Sequence, residues 1–191
     1  MKEVRTMCSV PPLRPGSHCS WCGNAFMDGL SLHQSRQCGS CQQVTYANPL
    51  PVVVGLIYKE GSSGYSVLGI RRAIQPCKGE LALIGGFLES GEMWEAGLSR
   101  EVQEEVGISI PPESWKLEQV FTVLSPPRLI VTASAACPKE FEEPDSVPFD
   151  PQEVQQVLWL QSPTTLCFSS HTESLHRFFA HPPNKEPPQS K

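Results

Sequence analysis

Apolar residues recur every fourth position at Trp94, Leu98, Val102 and Val106, within a stretch from Glu92 to Val106 that contains no proline. That spacing is the buried stripe of an amphipathic helix. On either side of it the pattern changes. Val52 to Tyr58 is a continuous apolar run of strand length, and Tyr65 to Arg71 is another; Glu60-Gly-Ser-Ser-Gly64 between them has the composition of a turn. Leu81 to Ile84 predicts a short buried strand. After Pro111-Pro112, Trp115 to Leu124 and Leu129 to Ala136 predict two strands around Ser125-Pro126-Pro127. An acidic, proline-containing loop runs from Lys139 to Gln152. Val154 to Leu160 predicts the last strand, and Glu173 to Phe179 a second helix. Strands on both sides of one central helix, with another helix at the end, place the chain in the α/β class.

Both ends depart from this pattern. Pro11, Pro12 and Pro15 block regular structure in residues 1–17, which predicts a flexible lead, and the Pro-rich residues 181–191 predict a disordered tail. Between the lead and Asn48-Pro49 stands a cysteine motif. Cys19-Ser-Trp-Cys22 and Cys38-Gly-Ser-Cys41 have the spacing C-x2-C-x15-C-x2-C, which suits a tetrahedral four-thiolate zinc site over residues 18–47, with Gly39 easing the second turn. A disulfide pair is the competing account. No secretory signal precedes the motif and cytosolic thiols stay reduced, which favours zinc and a cytoplasmic protein; Arg5 and Arg14, flanking a Ser- and Pro-containing stretch, leave an organelle leader open. The remaining cysteines (Cys8, Cys77, Cys137 and Cys167) share no spacing and read as core or surface thiols.

With 191 residues the chain suits one sizeable domain and a small module. A net charge of −5 argues against a general affinity for nucleic acid or membrane surfaces. Residues 16–50 carry only Arg36 as a strongly basic side chain, apart from His18 and His33. A structural role for the zinc module therefore fits better than RNA contact.

The central helix also carries chemistry. At about 100° per residue, Glu101 and Glu105 lie roughly 40° apart, and Glu104 falls about 60° to the other side of Glu101. Three carboxylates on one arc repel each other and weaken an isolated helix. A hard divalent cation would compensate, taking one or two carboxylates and keeping waters for substrate phosphates. Gly85-Gly86 just ahead would let a backbone carbonyl approach such an ion, and Arg100 is spaced to pin a carboxylate. A solvated acidic face is the bland alternative, but it explains neither the glycines nor Arg100.

The whole stretch from Gly86 to Ile108 reads G-x5-E-x7-R-E-U-x-E-E-x-G-U (U a bulky aliphatic), with Gly86, Glu92, Arg100, Glu101, Glu104, Glu105 and Gly107 at the fixed positions. It resembles the Nudix box without a mismatch. The resemblance implies a Nudix α/β/α sandwich with a mixed sheet over residues 48–180, behind a small zinc ribbon. It further implies a Mg2+- (or Mn2+-) dependent hydrolase of nucleoside diphosphates linked to another group. By the same resemblance Gly85, Glu101 and Glu105 are expected metal ligands, Glu104 a further ligand or water-positioning group, and Glu153 a metal-binding carboxylate from beyond the box. A homodimer is a family expectation.

A zinc ribbon ahead of such a domain occurs in NADH pyrophosphatases and in a related group that includes plant FAD pyrophosphatases. Asn48-Pro-Leu-Pro-Val-Val-Val54, Arg71-Arg72-Ala-Ile-Gln-Pro76 and Leu166-Cys-Phe-Ser-Ser170 look more like the second group. The NADH enzymes carry Ser-Gln-Pro-Trp-Pro-Phe-Pro after the box, where this chain has Val123-Leu-Ser-Pro-Pro-Arg-Leu129. The expected substrate is FAD, cut to FMN and AMP. NADH, ADP-ribose and NAD-capped RNA are the near alternatives, and an inactive binding module is an alternative of another class. Ile84 stands where many members have proline. Trp21, Trp94, Trp115 and Trp159 read as packing residues, and His171 and His176 as surface or cap residues.

Overall fold

The computed structural model describes residues 16–27, 34–141 and 147–183. The expected tail beyond Pro183, and the expected lead apart from Gly16 and Ser17, lie outside the described residues, as does Cys8. The chain divides into two compact units between Pro49 and Leu50.

The first unit is built around two short strands, β1 (Arg36–Gln37) and β2 (Val44–Thr45), paired antiparallel. Each Cys-x2-Cys turn closes in the same way. Gly23 N–H donates to Cys19 O (3.0 Å), and Gln42 N–H donates to Cys38 O (2.9 Å). Both closing residues are left-handed, Gly23 at φ 75 and Gln42 at φ 61. The second turn was expected to depend on Gly39; Gln42 takes the special conformation instead, four residues after its first cysteine as Gly23 is after its own. Gly16 and Ser17, from the expected lead, are bonded to this unit: Ser17 O accepts from Phe26 N–H (2.9 Å) and Gly16 O from Arg36 Nη1 (3.3 Å). Trp21 corrects another expectation. It is 68% exposed, with its indole N–H on Val44 O (3.0 Å), so it braces the turn from outside and does not pack in a core.

The second unit holds a seven-stranded mixed sheet. Its centre is β3 (Leu50–Gly61), paired parallel along one edge with β8 (Pro127–Ala136), which pairs antiparallel with β7 (Lys116–Leu124). The other edge of β3 is shared: Tyr58–Gly61 pairs with β4 (Gly64–Arg72), and Val52–Gly55 with β6 (Ile84–Phe87). Having left β3, β4 takes β9 (Val154–Leu160) and β5 (Leu81–Ala82) as neighbours. The strand expected at Leu81–Ile84 is thus interrupted at Leu83 and resumes along β3.

Alternation along β3 sends its side chains to two cores. Val53 and Ile57 pack with Leu98, Val102 and Val106 of α1 (Trp94–Val106), and with Trp115. Val54 and Leu56 pack with Leu175 and Phe178 of α2 (Ser169–Ala180). One helix on each face gives the α/β/α sandwich. Leu98, Val102 and Val106 are fully buried, each worth about 1.5–3 kcal/mol in apolar transfer, so the stripe fixes the rotation of α1 about its axis. Trp94 and Trp159 pack against the first core, as expected. Helix α2 begins a turn earlier than predicted. Ser169, Ser170, His171 and Thr172 show no apolar period, but Thr172 Oγ1 accepts from Leu166 N–H (2.9 Å) and fixes the entry.

Candidate active site

Gly85 and Gly86 lie on β6 opposite Val54 and Val53, against the carboxylate edge of α1. Gly85 has φ 151, and a Cβ there would overlap the β3 backbone, with Val54 Cα 2.9 Å away. A Cβ on Gly86 would strike the Glu101 carboxylate, with Oε1 2.6 Å away. Both positions therefore need glycine for close approach. The helix ends at Gly107 (φ 61), whose N–H returns to Gln103 O.

Arg100 is the hub. Its Nη1 donates to Glu101 Oε1 (2.8 Å) and Glu104 Oε2 (3.1 Å); its Nη2 donates to Glu92 Oε1 (2.8 Å) and Phe87 O (3.1 Å). Glu92 Oε1 also accepts from Glu89 N–H (2.6 Å), which ties the loop ahead of α1 to the same guanidinium. One cation thus orients three box carboxylates and the strand carbonyl just past the glycines. Arg100 holds Glu92 below the usual carboxylate range, and these bonds raise Arg100 in turn.

Glu105 is set apart from that hub. It is only 6% exposed, and Gly85 N–H donates to its Oε2 (3.3 Å). Burial pushes its pKa up to about 8, and the charges of Glu101 and Glu153 add to the rise, against Gly85 N–H and Arg72. Glu101 is also raised, chiefly by burial, with Glu104 and Glu153 contributing. Glu153 arrives from the approach to β9. Asp150 N–H donates to Glu105 O (3.0 Å), Glu153 N–H to Asp150 O (3.1 Å) and Ala73 N–H to Glu153 O (2.7 Å), so this loop is bonded to the end of α1 and to β4.

Glu92, Arg100, Glu101 and Glu104 are therefore brought into one bonded group beside Gly86, Glu105 is held separately on Gly85, Glu153 is in electrostatic reach, and Gly107 ends the helix away from them. Carboxylates desolvated among like charges want a cation, and a divalent ion would reverse the upward shifts. The donor set fits magnesium, which needs only one or two carboxylates and keeps its waters.

Two residues named in the sequence were not expected in the site. Arg72 lies with its guanidinium 5.4 Å from the centre of the Phe168 ring and donates from Nε to Pro76 O (2.9 Å), close enough to oppose the rise of Glu105. An arginine at a strand end reads as surface, so the pattern offered no signal. His171, expected at the surface or as a cap, is instead buried at 8% exposure, its Nδ1 accepting from Leu83 N–H (3.1 Å). Burial drives its pKa down to about 3, helped by Arg72, which keeps the ring neutral. His176 is exposed, as expected.

In the first unit the sulfurs of Cys19, Cys22, Cys38 and Cys41 all lie within 4.8 Å of one another, with Cys19–Cys41 and Cys22–Cys38 each at 3.6 Å. Among the described residues this is the one metal-ligand group already gathered so closely. Backbone N–H groups of Cys41 and Ser40 lower the Cys38 thiol towards thiolate. Zinc is the ion this donor set suits. Cys77 and Cys167, unrelated by spacing, come together near the end of β4, with Cys77 Sγ 4.0 Å from Cys167 O.

A mixed sheet between two helices, with a glycine loop laid against a carboxylate-lined helix, is the arrangement that the Nudix resemblance implies. The NUDIX domain family matches residues 49–178, and the chain belongs to that family. It is 27% identical over 146 residues to the NAD-capped RNA hydrolase NudC of Deinococcus radiodurans, covering 76% of this chain and 49% of that one. The Salmonella heidelberg NudC is 26% identical over the same length, at 76% and 52% coverage. The chain thus spans about half the length of these curated relatives. Among solved structures, a NUDIX hydrolase from Nitrosomonas europaea superposes with a TM-score of 0.65 at 21% identity, covering 90% of this chain and 94% of that one, which is a likeness of fold. Among the described residues no helix is long and apolar enough to cross a membrane.

Proposed function

We propose that this protein is a magnesium-dependent pyrophosphohydrolase that cuts the diphosphate of a nucleoside diphosphate-linked dinucleotide, with FAD, yielding FMN and AMP, as the first substrate. The observation that carries the reading is the Glu101–Glu105 pair, desolvated beside the Gly85-Gly86 backbone while Arg100 holds Glu101, Glu104 and Glu92 in place. Glu101, Glu105 and the Gly85 carbonyl would hold the metal, joined by Glu153. Magnesium, when bound, would supply charge neutralisation on the phosphoryl oxygens and an acidified water. The protein's share is to fix the carboxylates, exclude bulk water from Glu105 and present Glu104, held by Arg100 through Oε2 with 59% of its side chain exposed, to position a water. Zinc on the four cysteines folds the small first unit, and small-molecule dinucleotides are the partners.

The FAD assignment rests on Val123-Leu-Ser-Pro-Pro-Arg-Leu129, which lacks the Gln and the aromatics of the NADH-type signature. The second reading, NADH or NAD-capped RNA, is favoured by the names of the NudC relatives. AMP release from FAD, NADH, ADP-ribose and NAD-capped RNA, with and without magnesium, separates them. The highest kcat/KM on FAD supports the first reading; preference for NADH or capped RNA replaces it with the second. No cleavage of any of them under several divalent metals points to a binding module.

A further inference from the structure

We propose that His171 is a positioning residue for the glycine loop, a neutral imidazole on α2 that sets the place of Gly85 and, through it, of Glu105. The inference rests on the metal-site reading above and adds a residue outside the box to it.

The sheet pairs Gly85 and Gly86 with β3 but leaves Leu83, two residues ahead of Gly85, without a strand partner. The chain leaves β5 after Ala82 and joins β3 at Ile84, and Leu83 between them belongs to neither pairing. Two bonds from the α2 side tie down this segment, one to Leu81 on β5 and one to the unpaired Leu83. Cys167 N–H donates to Leu81 O (2.9 Å), and Leu83 N–H donates to His171 Nδ1 (3.1 Å). The imidazole stands where a neighbouring strand would have offered a carbonyl. Two residues further on, Gly85 N–H donates to Glu105 Oε2 (3.3 Å). The path from α2 to the acidic helix is therefore one side chain, three residues of main chain and the two hydrogen bonds at their ends.

Only one form of His171 can do this. A ring whose Nδ1 accepts must be neutral and carry its proton on Nε2. Burial and the nearby Arg72 disfavour the charged form, and the Phe168 ring, 4.9 Å away centre to centre and inclined at 63°, fixes the imidazole plane. Displacements of about 1 Å at such a site are costly to turnover while leaving substrate binding largely intact.

The test compares His171→Phe, which keeps a ring against Phe168 but removes the acceptor, with His171→Asn, whose Oδ1 can take the place of Nδ1. Amide exchange at Leu83 and Gly85 in the metal-free protein is measured beside kcat and KM for FAD. The expected result for His171→Phe is exchange about tenfold faster at both amides, and kcat about tenfold lower with KM within roughly twofold; His171→Asn recovers most of each. Unchanged exchange at Gly85 in the Phe variant overturns the proposal, as does an Asn variant no better than Phe. If the wild type cleaves no dinucleotide, the functional reading fails, while the exchange data still decide the link from His171 to the loop.

Discussion

Metal binding at Glu105 should be coupled to proton release, and the stoichiometry follows from the structure. Burial and the neighbouring charges of Glu101 and Glu153 lift the Glu105 carboxyl from 4.5 to about 8 in the absence of a cation. At pH 7 such a group is roughly nine-tenths protonated, and at pH 9 about one-tenth. A divalent ion binds the carboxylate, so Mn2+ or Mg2+ binding should release close to one proton at pH 7 and almost none at pH 9. The same displacement governs stability without metal. A raised folded pKa is neutral below the unfolded value of 4.5 and costs progressively more as pH rises towards 8. The metal-free fold should thus lose stability across that window, by roughly 3 kcal/mol at pH 7 as an upper bound. Saturating metal should flatten the loss. Titration calorimetry in buffers of different ionisation enthalpy reads the proton count directly. Zero release at pH 7, or the same release in Glu105→Gln, would refute the assignment of the shift to this carboxyl.

Other consequences are more local. Gly86→Ala puts a methyl group into the Glu101 carboxylate, so kcat should fall about 10²-fold with the fold intact by circular dichroism. Arg100→Met leaves Glu92, Glu101 and Glu104 without their shared cation; a loss of roughly 1–3 kcal/mol in denaturant unfolding is expected, partly recovered by Mg2+. Elemental analysis of the purified protein should find about one zinc per chain and Cys38→Ser should lose it; a wild type without zinc contradicts the four-thiolate site.

Much of this arrangement could be read before the fold was known. The four-residue period of Trp94, Leu98, Val102 and Val106 is a direct record of which side of α1 is buried, and it places Glu101, Glu104 and Glu105 at the margin of that side. The cysteine spacing was equally legible, because two-residue gaps are what a thiolate turn requires. What escaped were contacts made by single polar residues across long sequence separations. Thr172 capping Leu166, His171 accepting from Leu83 and Arg72 lying over Phe168 leave no periodic trace. The left-handed Gln42 was missed for a related reason: a glycine stood nearby, at Gly39, and drew the expectation to itself. Trp21 was misread because a tryptophan in a 30-residue metal module has no core to enter.

The most direct test of the central claim is the rate of Mg2+-dependent FMN and AMP production from FAD by the wild type and by Glu105→Gln, at equal protein concentration and saturating metal. The account predicts turnover that requires the metal and a variant slower by about 10²- to 10³-fold with an unchanged fold. A Glu105→Gln protein as active as the wild type, or hydrolysis that persists after chelation, would contradict it.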